Sequence, residues 1–185
     1  MTLEPNQGQE HEDSDGGDSS TVERFFRGVC EFIFHSKLGV ADVQMVDYVS
    51  DLMLRFVRSD SVYSLRQSDG RRTRHVAQMV SDAERRIGLA KREVYRHVGD
   101  FTLFWAGVYP ESLASEKQAA GNLVDYRVQG KRAYAIAAGI EGGEDRPPCD
   151  LIQRMSEQFE MCAYGLREVR RQWEDDDDSR GLLLS

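Results

Sequence analysis

Apolar residues recur along this chain with helical spacing, and no stretch alternates with the period of two that marks a half-buried strand. The densest run is Lys91 to Pro110, KREVYRHVGDFTLFWAGVYP. Val94, Val98, Phe101, Trp105 and Val108 follow one another at intervals of four, three, four and three, which is one stripe of an α-helix. From Phe101 to Tyr109 the intervening Leu103, Phe104 and Ala106 are apolar as well, so this half is greasy nearly all round and is predicted to lie inside a helical core. The run falls short of the ~20 apolar residues of a membrane span and is interrupted by Thr102, so no membrane partner is expected. Pro110 should end the helix at about Val108, because the residue before a proline is pushed out of the α region.

The other elements follow from the same period. Ser20 and Glu23 have the form of a capping box opening a first helix with Phe25, Phe26, Val29, Phe32 and Ile33 on or near one face, and Gly39 is a plausible stop. A second helix, about 41–58, carries Val46, Val49, Leu52, Met53 and Phe56. After a linker rich in Ser, Asp and Gly, a third carries Val76, Met79, Val80, Ala83 and Ile87; Gly88 is either a break or a weak point before the central helix. Residues 111–120 are small and polar and predict no packed element. A fifth helix, about 122–138, places Leu123, Tyr126, Gly130, Tyr134 and Ala137 on one side, and EGGEDRPP is a loop.

The sixth helix has the most regular pattern: Ile152, Met155, Phe159, Cys162, Leu166, Val169 and Trp173 alternate strictly by three and four. Such a face needs a cover, either the rest of the same bundle or another molecule, and Met155 to Trp173 is therefore also a candidate interaction seam. The EDDDD run at 174–178 should fray the helix end, since acids repel the negative pole of the helix dipole. The expected architecture is all-α: a single-domain bundle of five or six helices over 20–173, with disordered acidic tails at 1–19 and 174–185.

Charge sharpens this division. The formal net charge is -8, but residues 1–20 hold six acids and no Lys or Arg, and residues 174–185 hold five acids and Arg180; the segment between has 21 acids against 23 bases. The acidic leader has almost nothing to bury and reads as a solubilising tail or a docking tail for a basic partner. Cys30, Cys149 and Cys162 form no close pair of the kind that binds zinc or does redox chemistry; Cys30 and Cys162 fall within apolar helical patterns and read as small buried hydrophobes, as expected in a reducing cytosol. The N-terminus has neither the basic nor the apolar region of a secretion signal.

The segment RHVGDFTLFWAGVYPESL (96–113), with RFVRSD at 55–60 and QGKRAY at 129–134, resembles an uncharacterised family of bacterial helical proteins that share a Gly-Asp-aromatic-Leu-Phe core ending in Tyr-Pro. The resemblance covers roughly the middle half of the chain. It implies an all-helical fold and a bacterial origin, and it brings no activity and no catalytic residues.

Chemistry has few candidates. Glu31 with His35 and Glu93 with His97 stand at i and i+4, a spacing that puts each pair on one helix face. Di-metal helical bundles use Glu-x-x-His at i and i+3, so the match is wrong by one residue. Glu93, His97 and Asp100 cluster on a flank about 100° from the apolar stripe of the central helix, which places them towards an edge. They are a candidate metal or acid-base site, or else a set of ion pairs. Asp100 has a separate reading as a buried carboxylate paired with Arg96 one turn earlier or with an arginine of another helix. Arg71, Arg72, Arg74, Arg85, Arg86, Lys91, Arg92 and Arg96 would form one basic patch if the third and fourth helices make a hairpin, but acids are interleaved and no recognition motif for nucleic acid is present. The favoured expectation is a non-catalytic helical module that works through protein contacts, by self-association or as an adaptor, with no cofactor. A metal-binding or enzymatic bundle and a weak nucleic-acid binder are the alternatives.

Overall fold

The structure, a computed structural model, describes residues 16–57, 71–114, 119–144 and 146–183. They form eight α-helices and one π-helical turn, with no strand among them. In chain order these are α1 (Gly16–Glu31), the π-turn (Phe32–Lys37), α2 (Val43–Val57), α3 (Arg71–Glu84), α4 (Gly88–Val108), α5 (Pro110–Ala114), α6 (Ala119–Ala138), α7 (Cys149–Glu157) and α8 (Phe159–Leu183). None of the helices described is long and apolar enough to cross a membrane.

The central helix is α4, which packs against α2, α3, α6 and α8. Every residue from Val98 to Val108 is buried, and Trp105, Phe104 and Leu103 are fully enclosed. Each large apolar side chain enclosed this way contributes about 1.5–3 kcal/mol relative to exposure. The helix stops at Val108, one residue before Tyr109 turns out of the α region ahead of Pro110. Two glycines set the close crossing of α4 and α6: a Cβ on Gly99 would come within 2.6 Å of the Tyr134 ring, and one on Gly130 within 2.4 Å of Phe159 and of Thr102 Oγ1.

Several boundaries differ from the expectation. α1 already runs through Ser20 from Gly16, so Ser20 is not its N-cap and the helix takes up part of the expected leader. Its last residues unwind into the π-turn, whose smaller rotation per residue lets neighbouring Ile33 and Phe34 both point inward at 0% exposure while Phe32 stays half exposed. Gly39 then reverses the chain at φ +67°. Asp42 caps α2 by accepting the Met45 N–H at 3.1 Å. Gly88, at φ +55°, is a true break between α3 and α4. The short α5 occupies residues expected to be irregular, and α8 continues to Leu183 where fraying was expected after Trp173.

The sixth predicted helix is two helices, α7 and α8, meeting at Gln158 (φ -106°, ψ 23°). Its apolar face lies inside the chain's own bundle: Met155, Phe159, Cys162, Leu166 and Val169 are 0% exposed. Trp173 is partly buried and meets Phe26 edge to face at 5.2 Å. Met155, Phe159, Cys162, Leu166 and Val169 are therefore covered within the chain's own bundle, with Trp173 at its edge.

Candidate functional site

The polar centre of the molecule forms where α2, α4 and α6 meet at Asp100. Tyr48 and Arg55 stand seven residues apart on α2 and so share one face; Arg96 stands one turn before Asp100 on α4; Tyr134 comes from α6. Asp100 is 0% exposed. Its Oδ1 accepts the hydroxyls of Tyr48 at 2.6 Å and Tyr134 at 2.8 Å, and its Oδ2 accepts Arg96 Nη1 at 3.0 Å and Arg55 Nη2 at 3.1 Å. A buried carboxylate is tolerated only with such a set of partners.

Glu93 gathers a second set two turns before Asp100. It pairs with Arg96 at 2.9 Å, Arg92 at 3.1 Å and Arg146 at 3.7 Å. Arg92 is completely buried, and its Nη2 donates to the Pro147 carbonyl at 2.5 Å. A Cβ on Gly142 would come within 2.9 Å of the Arg92 guanidinium carbon, so the loop before α7 closes tightly over this arginine and a larger residue there would make the guanidinium shift.

These pairings fix protonation states. Burial, and then the Asp100 carboxylate, push the hydroxyls of Tyr48 and Tyr134 far from ionising. Burial works against the Glu93 carboxylate, but Arg96, Arg146 and Arg92 outweigh it and hold its pKa below the usual range. Burial works against the Arg96 charge, yet Asp100, Tyr48 and Glu93 raise its pKa.

Over this network lies an open cleft of about 410 Å³. Tyr48 and Arg96, which are mostly buried, form its floor; Arg27, Arg55, Glu23 and Asp51, each more than a third exposed, form its rim, with Leu54 and Pro147 as apolar walls. Arg27 reaches Asp51 at 2.6 Å and Glu23 at 3.4 Å. Arg55 and Arg96 contact the same oxygen of Asp100, so their guanidiniums lie side by side.

The predicted candidates separate. Asp100 is buried rather than at an edge, because α2 and α6 both cover that flank of α4. The pairing of Asp100 with Arg96, and with an arginine of another helix, is as expected. Glu93, His97 and Asp100 do not form one metal site: the two carboxylates are taken by arginines, while His97 is exposed and stacks on Phe56 at 6.2 Å. Loss of water around its ring lowers the His97 pKa, and Arg96 and Arg55 add to this against the pull of Asp100. His35 sits in the π-turn rather than one α-turn from Glu31, and its Nδ1 bonds the Val40 carbonyl at 2.5 Å. Among the described residues no three His, Cys, Asp or Glu side chains converge as metal ligands would.

The basic patch is likewise divided. The side chains of Arg71, Arg72 and Arg74 lie outside the described residues. Arg85 and Arg86 are exposed, Arg86 pairs with Asp82, and Lys91 pairs with Glu84, whereas Arg92 and Arg96 turn inward to Glu93 and Asp100. Tyr48, Arg55 and Arg27 were not picked out in the sequence, and Tyr134 was read only as packing. One available signal was a buried tyrosine's need for a hydroxyl partner.

No family model, curated protein or solved structure matches the chain. The chemistry of the cleft is therefore what bears on function.

Proposed function

We propose that the protein is a non-catalytic helical recognition module that binds an anionic group in the Arg27–Arg55–Arg96 cleft. The observation that carries the reading is the fully buried Asp100, which holds two guanidiniums side by side at the cleft from behind. A desolvated ion cluster stabilises a fold less than apolar packing of the same volume would. Its place directly beneath an open cleft gives it a use, since it orders arginine side chains before a ligand arrives and so lowers the entropy lost on binding. Arginine is the side chain suited to this, with planar donors that match carboxylate and phosphate oxygens.

The fixed protonation states favour binding over proton transfer. A general acid or base works best with a pKa near the operating pH, whereas Tyr48 and Tyr134 are driven away from neutrality in one direction and Glu93 in the other. The expected module thus acts through the arginine cleft instead of the heptad face.

Thermal denaturation in the presence of acetate, citrate, sulfate and phosphate tests this. At least one anion should raise Tm for the natural chain, and Arg27→Glu combined with Arg55→Glu should remove the effect. An equal rise in the double variant, or none with any anion, overturns the reading.

A further inference from the structure

We infer that the ligand of the cleft is a small zwitterion, an α-amino acid with an apolar side chain, whose carboxylate is the anionic group of the recognition reading on which this rests. The charges that line the cleft cancel. Arg27, Arg55 and Arg96 are matched by Glu23, Asp51 and the Asp100 behind them. A ligand with a net charge would leave it uncompensated against a largely buried floor, whereas a ligand that carries one charge of each sign keeps the balance.

Asp51 and Arg55 place the two signs. They stand at i and i+4 on α2, the spacing at which an acid and an arginine commonly pair with each other. Here their side chains are turned apart. Asp51 Oδ1 accepts Arg27 of α1 at 2.6 Å, and Arg55 Nη2 donates to Asp100 of α4 at 3.1 Å. Arg55 reaches Asp51 only at the backbone, where Nε meets the carbonyl at 3.4 Å. Asp51 Oδ2 is left as an acceptor and Arg55 Nη1, with two N–H groups, as a donor, neither with a partner among the described residues. Both side chains open to the cleft, at 55% and 45% exposure. A negative acceptor and a positive donor one helical turn apart fit an ammonium and a carboxylate borne on one small molecule. No existing pair has to break to admit it, since Arg27 keeps Asp51 Oδ1 and Asp100 keeps Arg55 Nη2. Arg96, whose nitrogens already bond Glu93, Tyr48 and Asp100, stays in the floor.

The surroundings set the rest of the ligand. Leu54 and Pro147 wall the cleft and offer contact to an apolar side chain. At about 410 Å³ the cleft falls within the range of small-molecule sites, roughly 300–1,000 Å³, and has room for a single amino acid.

Isothermal titration at about pH 7 with L-leucine, N-acetyl-L-leucine and L-leucinamide tests this, since the second lacks the ammonium and the third the carboxylate. L-Leucine should bind one to one, and each analogue about tenfold or more weaker, the loss expected for one hydrogen bond between charged groups. Asp51→Asn should weaken L-leucine about tenfold or more without weakening N-acetyl-L-leucine, and Arg55→Gln should weaken both. Both positions are exposed, so Tm without ligand should stay nearly unchanged in either variant. N-acetyl-L-leucine binding as tightly as L-leucine overturns the zwitterion and leaves the recognition reading standing. L-Leucinamide binding as tightly as L-leucine overturns both, because the carboxylate is then not read. Absence of binding by all three overturns the amino-acid assignment alone, and the thermal series with simple anions decides the recognition reading separately. L-Leucine binding that is indifferent to both variants overturns the site itself, and the recognition reading with it.

Discussion

Replacing Asp100 with asparagine isolates the charge at the centre of the network with almost no change in volume. The amide keeps an oxygen for the hydroxyls of Tyr48 and Tyr134 but turns an NH₂ donor towards Arg96 and Arg55, which are themselves donors. Arg55, 45% exposed, can swing into water, and losing its pair costs about 0–1 kcal/mol. Arg96, 18% exposed, cannot be rehydrated in place. Arg96 keeps its pair with Glu93, so what it loses is one charge-assisted bond at a largely desolvated position, about 1.5–3 kcal/mol out of the roughly 5–15 kcal/mol that keeps a domain folded. For a chain of this length each kcal/mol lowers Tm by about 2–4 °C, so Asp100→Asn should lose on the order of 3–12 °C. Asp100→Ala should lose more, because two buried hydroxyls are then orphaned at about 1–3 kcal/mol each. Urea denaturation followed by far-ultraviolet circular dichroism at pH 7 measures both, with the slope against urea as a control for an unchanged native state. An asparagine variant within about 1 kcal/mol of the natural chain would refute the reasoning, since the carboxylate would then not be holding its arginines in a dry site.

Other substitutions test the packing. Leu166→Glu and Val169→Glu place a charge at fully enclosed positions and should abolish cooperative unfolding rather than yield a folded chain of altered oligomeric state; size-exclusion chromatography with circular dichroism separates the outcomes. Gly130→Ala should cost about 1–3 kcal/mol, because its Cβ would meet Phe159 and Thr102 at 2.4 Å. Gly28→Ala, in the middle of α1 with nothing within 4 Å, should instead raise stability by about 0.5–1 kcal/mol. Stability should fall on acidification in two stages. The His97 pKa is lowered in the fold, so its contribution is present above the unfolded value of about 6.5 and is lost as pH falls through the folded value. Glu93 is also lowered, and its contribution is lost below about pH 4.5, through its own folded value. Denaturation midpoints from pH 8 to 3 should show both, and His97→Gln should flatten only the upper stage.

The local period of the sequence carried much of the fold and little of the site. Val94 to Val108 announced the central helix, and Pro110 its end, because both are determined within a few residues. Gln158 gave no sign of the break between α7 and α8: the three-four alternation runs straight through it, and neither glycine nor proline marks it. The π-turn was hidden for a similar reason, since tertiary contacts of Ile33 and Phe34, the latter packed on Gly165, decide its winding. At the site, Arg96 was visible as the partner of Asp100 because the two lie one helical turn apart. Tyr48, Arg55 and Tyr134 reach Asp100 from 52, 45 and 34 residues away, a separation that periodicity along one helix does not register. The Asp100 end of the α4 flank that looked like an edge became interior once two neighbouring helices covered it, while His97 on the same flank stayed exposed.

The central claim is that the cleft over Asp100 recognises an anion with its arginines. Nuclear magnetic resonance of the arginine Nε–H groups, recorded during a titration with acetate, tests it at the residues concerned. The signals of Arg27, Arg55 and Arg96 should shift together and saturate together, with those of Arg85 and Arg86 on the outer surface unmoved. Shifts spread over the exposed arginines, or absent from the three that line the cleft, would contradict the account.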